Sequence, residues 1–74
     1  MAELHKDEKE IFPGITVMEG RRSGKPCVAG LRITVKDILG WLASGMTFEE
    51  ITDDFPYVSE QNIKDALLYN AYKN

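Results

Sequence analysis

"TVKDILGWLASGMTFEEITDDFPYVSEQNIKDALLYNAY", Thr34 to Tyr72, reads as three helices joined by short connections. Thr34 stands as an N-cap with Asp37 three places on, and Val35, Ile38, Leu39 and Leu42 recur at the spacing of one helical face, which predicts a helix over 35–44. Gly45, directly after Ser44, supplies the stop. Thr47 and Glu50 form the best capping box in the chain and open a short helix over 48–54, with Phe48 and Ile51 inward. Pro56 breaks it. Ser59 then caps a last helix over 60–72, where Ile63, Ala66, Leu67 and Ala71 share a face. Three helices with a short turn between the second and third are the layout of helix-turn-helix DNA binders, and also a common way to close a small core.

Upstream the pattern changes period. "ITVMEG", Ile15 to Gly20, carries β-branched residues and ends at a turn signal, while "PCVAG" and "RIT" are two more short extended candidates separated by Gly30. Their spacing predicts short β segments within 15–34, arranged as a hairpin that turns near Gly24 and Lys25. Residues 1–10, "MAELHKDEKE", have no apolar periodicity and read as a flexible arm. The expected fold is therefore mainly α: a single domain over 11–74 with three helices, preceded by a short β-hairpin or extended segment.

Seventy-four residues make one domain, and a chain this short buries only about 60% of the surface that its unfolded form exposes, so help from a partner is expected. One cysteine, Cys27, permits no disulfide within the chain, and no Cys/His grouping has the spacing of a zinc site. The charged start and the lack of an apolar run near ~18 residues argue against a signal peptide or a membrane span, and the expected location is cytoplasmic.

The formal net charge is −3, but it is unevenly placed. Five of the nine basic residues (Arg21, Arg22, Lys25, Arg32 and Lys36) fall between positions 21 and 36, where there is no acid. With a Debye length of about 8 Å, an anionic partner meeting this segment feels mainly the local charge. These side chains either contact phosphates or form a solvated hairpin. Five phosphate contacts would give log K against log[salt] a slope of about −4.5 per protomer and about −9 per dimer. Arg32 is better explained by an ion pair with Asp37 or Glu50, leaving Arg21, Arg22, Lys25 and Lys36 as DNA-contact candidates.

In the last helix, Ser59, Gln61, Asn62 and Lys64 are candidates for base contacts, since Gln and Asn pair well with adenine edges. Glu60 and Asp65 oppose that reading, and an ordinary capped surface helix explains the same residues. Leu68 and Tyr72 lie one turn apart and nearly opposite Ile63 and Leu67 on the helical wheel. With Tyr69 they suggest a surface for dimerisation or a partner, unless the helix is sandwiched between the core and "IFPGITV". Trp41, at the edge of the first helix's apolar face, reads as core. His5 and Cys27 have no catalytic partner in view. "GRRSGK" lacks the spacing of a phosphate-binding Walker loop, and Glu49-Glu50 and Asp53-Asp54 read as solvated first-turn and helix-surface acids. No catalytic residue, metal ligand or cofactor site is assembled, and the expectation is a protein that is not an enzyme.

The run "GKPCVAGLRITVKDILGWLASGMTFEEITDDFPYVSEQNIKDALLYNA", within a likeness that covers about 15–72, resembles the domain-of-unknown-function family 433. Its pattern is matched by Gly24-Lys25-Pro26, Gly30, Arg32-Ile33, Val35, Gly45, Thr47, Glu49-Glu50-Ile51, Phe55-Pro56, Ile63, Ala66 and Leu67. Leu31 departs from the family's usual Thr, and "GRRSGK" is more basic than its usual approach. The resemblance implies a homeodomain-like helix-turn-helix fold. For many members it also implies an antitoxin role: binding and neutralising a PIN-like toxin and repressing the shared operon through operator DNA. The apolar surface of the last helix adds the expectation of a homodimer. The alternative is a protein-interaction adaptor without DNA binding, whose basic segment docks on an acidic partner.

Overall fold

The structure is a computed structural model that describes residues 7–73; residues 1–6 and 74, with His5 and most of the expected arm, lie outside the described residues. In chain order the elements are strands β1 (Glu8–Phe12) and β2 (Ile15–Met18), a 3-10 turn (Arg22–Gly24), strand β3 (Cys27–Val28), and helices α1 (Val35–Ala43), α2 (Phe48–Asp54) and α3 (Glu60–Lys73).

The helices begin where their caps place them. Thr34 Oγ1 accepts from the Asp37 N–H at 2.9 Å while Asp37 Oδ2 accepts from the Thr34 N–H at 3.1 Å. Thr47 and Glu50 repeat this reciprocal box at 3.1 and 2.9 Å. Ser59 and Asn62 do the same for α3, at 3.1 and 2.9 Å. Each box satisfies two backbone donors that a helix start leaves orphaned, and each cap contributes about 1 kcal/mol. At the other end of α1, Gly45 takes φ +103°, with its N–H on Leu42 O and the Met46 N–H on Trp41 O. These are the two bonds of a Schellman stop, and only glycine reaches that φ without strain.

The expectation of a mainly α, homeodomain-like domain is overturned, because the chain folds as a mixed α/β domain in which a three-stranded antiparallel sheet, ordered β1-β2-β3, accompanies the three helices. Glu8 lies opposite Met18, Lys9 opposite Val17 and Glu10 opposite Thr16, with a bulge before Phe12 meets Ile15. Ile15 then pairs Val28 and Thr16 pairs Cys27. The strand that was not expected is β1, which lies partly within the supposed arm. Its charge pattern hid it, since "EKEIF" has no apolar alternation. The hairpin turns at Pro13-Gly14, with Gly14 at φ +81°, and not near Gly24 and Lys25. Proline followed by a positive-φ glycine is the residue order such a turn needs. Arg22 and Ser23 instead form the 3-10 turn with φ of 49° and 58°.

Helix α3 packs against strands β2 and β3 and against helices α1 and α2. Ile63, Ala66 and Tyr69 line its inner face, and Ile15, Val28, Ile38, Ile51 and Val58 complete the core. Burying one such isoleucine contributes about 1.5–3 kcal/mol. Leu67, expected inside, is exposed, and Tyr69 takes the inward place one turn beyond Ala66. Phe12 from β1 reaches this end of α3, its ring 5.6 Å from Tyr69 and 5.1 Å from Tyr72. The sandwiching of α3 against "IFPGITV" is thus real at its C-terminal end, where Phe12 meets both the buried Tyr69 and the largely exposed Tyr72. Trp41 is half-buried and stacks on Phe55 at 4.3 Å, closing α1 over the end of α2.

Candidate binding surfaces

The basic segment divides into buried and exposed halves. Arg21 is buried: its Nη2 donates to Glu8 Oε2 at 2.9 Å and to Thr16 Oγ1 at 2.8 Å, and Thr16 in turn donates to the same carboxylate. This removes Arg21 from the DNA-contact candidates. A guanidinium so placed must be paired, and β1 carries the pairing acid into position. The Gly30 N–H also points at Glu8 Oε2, at 3.4 Å, so one carboxylate ties β1 to β2 and to the loop after β3.

Arg22 is half-exposed, but its charge is already answered. Nη1 donates to Asp37 Oδ2 at 2.8 Å and to the Arg32 carbonyl at 2.8 Å. The Asp37 bond raises the pKa of Arg22. Burial pushes the Asp37 carboxyl up, but the Arg22 guanidinium and the Thr34 hydrogen bonds outweigh it, and the group is held below its ordinary value. The partner of Asp37 is therefore Arg22 and not Arg32, whose side chain is exposed, while Glu50 is engaged at the start of α2. Cys27 is buried and donates to the Lys25 carbonyl at 3.3 Å. Burial pushes its thiol up against the lowering pull of Arg21 and Arg22, which makes it a poor nucleophile.

Lys25 and Lys36 are exposed and make no ion pair among the described residues. Both line a cleft of about 280 Å³ between the first turn of α1 and the last turn of α3, where Lys73 joins them. Pro26, Val35, Leu39 and Tyr69 supply the apolar part of the lining. Lys73 was missed from the sequence, although the signal was there: it follows Tyr69 by four residues and so shares its face of α3.

The other DNA-contact candidates sit at the opposite end of the same helix. Fourteen residues at 1.5 Å each put the two ends of α3 about 21 Å apart. Ser59 and Asn62 cap each other, Gln61 Nε2 donates to Asp65 Oδ1 at 2.9 Å, and Lys64 pairs with Glu60 at 3.7 Å. Each of the four side chains thus has a partner within its own helix or at its cap. Glu49 and Glu60 face one depression beside them, which makes that end acidic.

The proposed partner surface is also divided. Leu68 and Tyr72 are 58% and 69% exposed, Leu68 on the outer face of α3 and Tyr72 beside it with one side of its ring against Phe12, and Leu67 is 37% exposed. Tyr69 is 8% exposed and belongs to the core, which withdraws it from the interface set. Its direction follows from the helical wheel, on which it lies with Ala66 and not with Leu68. Among the described residues no three or more His, Cys, Asp or Glu gather to hold a metal ion, and no helix is long and apolar enough to cross a membrane.

The sequence model of the family described as "Protein of unknown function (DUF433)" matches residues 15–70. No curated protein and no solved structure matches the chain.

Proposed function

We propose, from the premise that this chain belongs to the DUF433 family, that it is a binding protein of antitoxin type whose main task is to hold and neutralise a PIN-like toxin. The observation that carries this reading is the outer face of α3. Leu68 and Tyr72 stand well exposed one turn apart on the longest helix, whose inner face is already spent on the core. A small domain gains from covering such side chains, and large apolar residues of this kind are the usual anchors of an interface. A second copy of the chain could use the same face, giving a homodimer.

Operator binding is the second half of the reading. It draws support from Lys25 and Lys36, which are exposed and have no counter-charge among the described residues. The engagement of Ser59, Gln61, Asn62 and Lys64 within α3 favours phosphate contact over base reading, and it also favours the alternative of an adaptor that binds no DNA. Co-expression tests the main claim. A PIN-like protein encoded beside this chain should be toxic alone and harmless with it, and toxicity undiminished by the chain overturns the proposal.

A further inference from the structure

We propose that the cleft between α1 and α3 is a docking slot for a short peptide segment that carries both acidic and aliphatic side chains, presented by a protein partner. Three features of the slot act together. Lys25, Lys36 and Lys73 come from three separate parts of the chain, the loop before β3, the first turn of α1 and the last turn of α3, and none is ion-paired among the described residues. In a chain of net charge −3, three unpaired ammonium groups around one cleft are a local reversal of sign. Between them the lining is mostly apolar, with Pro26, Val35, Leu39 and Tyr69 beside the polar Thr34 and Asn70.

The chemistry narrows the occupant. A simple anion would satisfy the lysines and leave the apolar lining wet, whereas an apolar group alone would leave three like charges crowded and uncompensated. Duplex DNA presents phosphates on a convex backbone and offers no apolar group to enter a concave slot. A single-stranded base needs an open aromatic face to stack on. Tyr69 does not give one, being 8% exposed and edge-on to Phe12 at 5.6 Å. An aliphatic side chain flanked by carboxylates fits both requirements. The cleft volume of about 280 Å³ lies at the lower edge of small-molecule pockets, which run from about 300 to 1,000 Å³, and suits one or two side chains. This inference rests on the reading of the chain as a binding protein, and not on its operator-binding half.

The test is fluorescence anisotropy with the full chain and a labelled hexapeptide of two leucines flanked on each side by two aspartates. The same peptide with serines in place of leucines and a short labelled DNA duplex serve as controls. Expected is saturable binding of the leucine peptide, at least about tenfold tighter than the serine peptide, and a loss of about tenfold or more on combining Lys36→Glu with Lys73→Glu. If that pair lowers thermal stability, Lys36→Gln with Lys73→Gln gives the same readout at smaller amplitude. Equal affinity for the two peptides overturns the proposal, and so does a leucine peptide indifferent to the lysine substitutions while binding of the duplex falls with them. A chain that takes the leucine peptide but no PIN-like neighbour upholds the slot and removes the toxin reading. One that holds the neighbour but refuses the peptide does the reverse.

Discussion

Arg21 and Glu8 form an ion pair of 2.9 Å with both side chains almost wholly buried, 7% and 3% exposed, and it fixes the N-terminal strand to the rest of the domain. Removing one member of a buried pair strands the other charge, which costs about 3–5 kcal/mol. Arg21→Ala should therefore lose about 3 kcal/mol or more in urea unfolding, a large part of the stability of a domain this small. Arg21→Met combined with Glu8→Leu should recover most of it, since no charge is then left unpaired. Single and double variants of equal stability would mean that the pair is not what holds β1.

Gly14 makes the turn that lets β1 return as β2. A Cβ there would overlap the Asp65 carboxylate, and the φ of +81° disfavours any other residue. Gly14→Ala should cost more than the about 1 kcal/mol of backbone strain alone. Adding Asp65→Ala should relieve the clash and leave the strain. Denaturant midpoints of the two variants check this, and identical midpoints would contradict the contact.

The Arg22–Asp37 pair has a pH signature. Asp37 titrates below its ordinary range in the folded chain, so in that window the unfolded chain binds more protons and stability rises with pH. The contribution is complete above the ordinary carboxylate value of about 4 and is lost as pH falls below it through the folded value. The difference in Tm between the wild type and Asp37→Asn should accordingly shrink as pH drops below about 4. A difference that is as large at the acid end as at neutral pH would contradict the assignment.

Operator contact predicts a reduced salt dependence. With Arg21 buried and Arg22 paired to Asp37, the exposed cations left of the five in the basic segment are Lys25, Arg32 and Lys36, which gives a slope of about −2.7 per protomer instead of about −4.5. Lys25→Gln with Lys36→Gln should flatten the slope by about 1.8 per protomer, read from anisotropy titrations of the chain's own upstream DNA at several salt concentrations. An unchanged slope would place the contacts elsewhere.

What could be read from the sequence was what depends on near neighbours. Thr34 with Asp37 and Thr47 with Glu50 mark the starts of α1 and α2 because a capping box is closed within four residues, and Gly45 marks a stop for the same reason. The sheet depends on partners far along the chain. Glu8 meets Arg21 thirteen positions away, so a strand that hides its charge in a buried pair looks, in sequence, like a solvated arm. The same blindness misassigned Arg21, whose burial is visible only once β1 is in place. Tyr69 and Lys73 were legible in principle from the helical wheel, and only the choice of Leu67 as an inward residue obscured them.

The most direct measurement is the binding of the chain to the product of an adjacent PIN-like reading frame, by size-exclusion chromatography of the two purified proteins, with and without Leu68→Asp combined with Tyr72→Asp. Expected is a stable complex for the wild type and none for the double variant, whose circular dichroism remains that of the folded domain. A complex that survives both substitutions, or a wild-type chain that forms none, would contradict the role given to the outer face of α3.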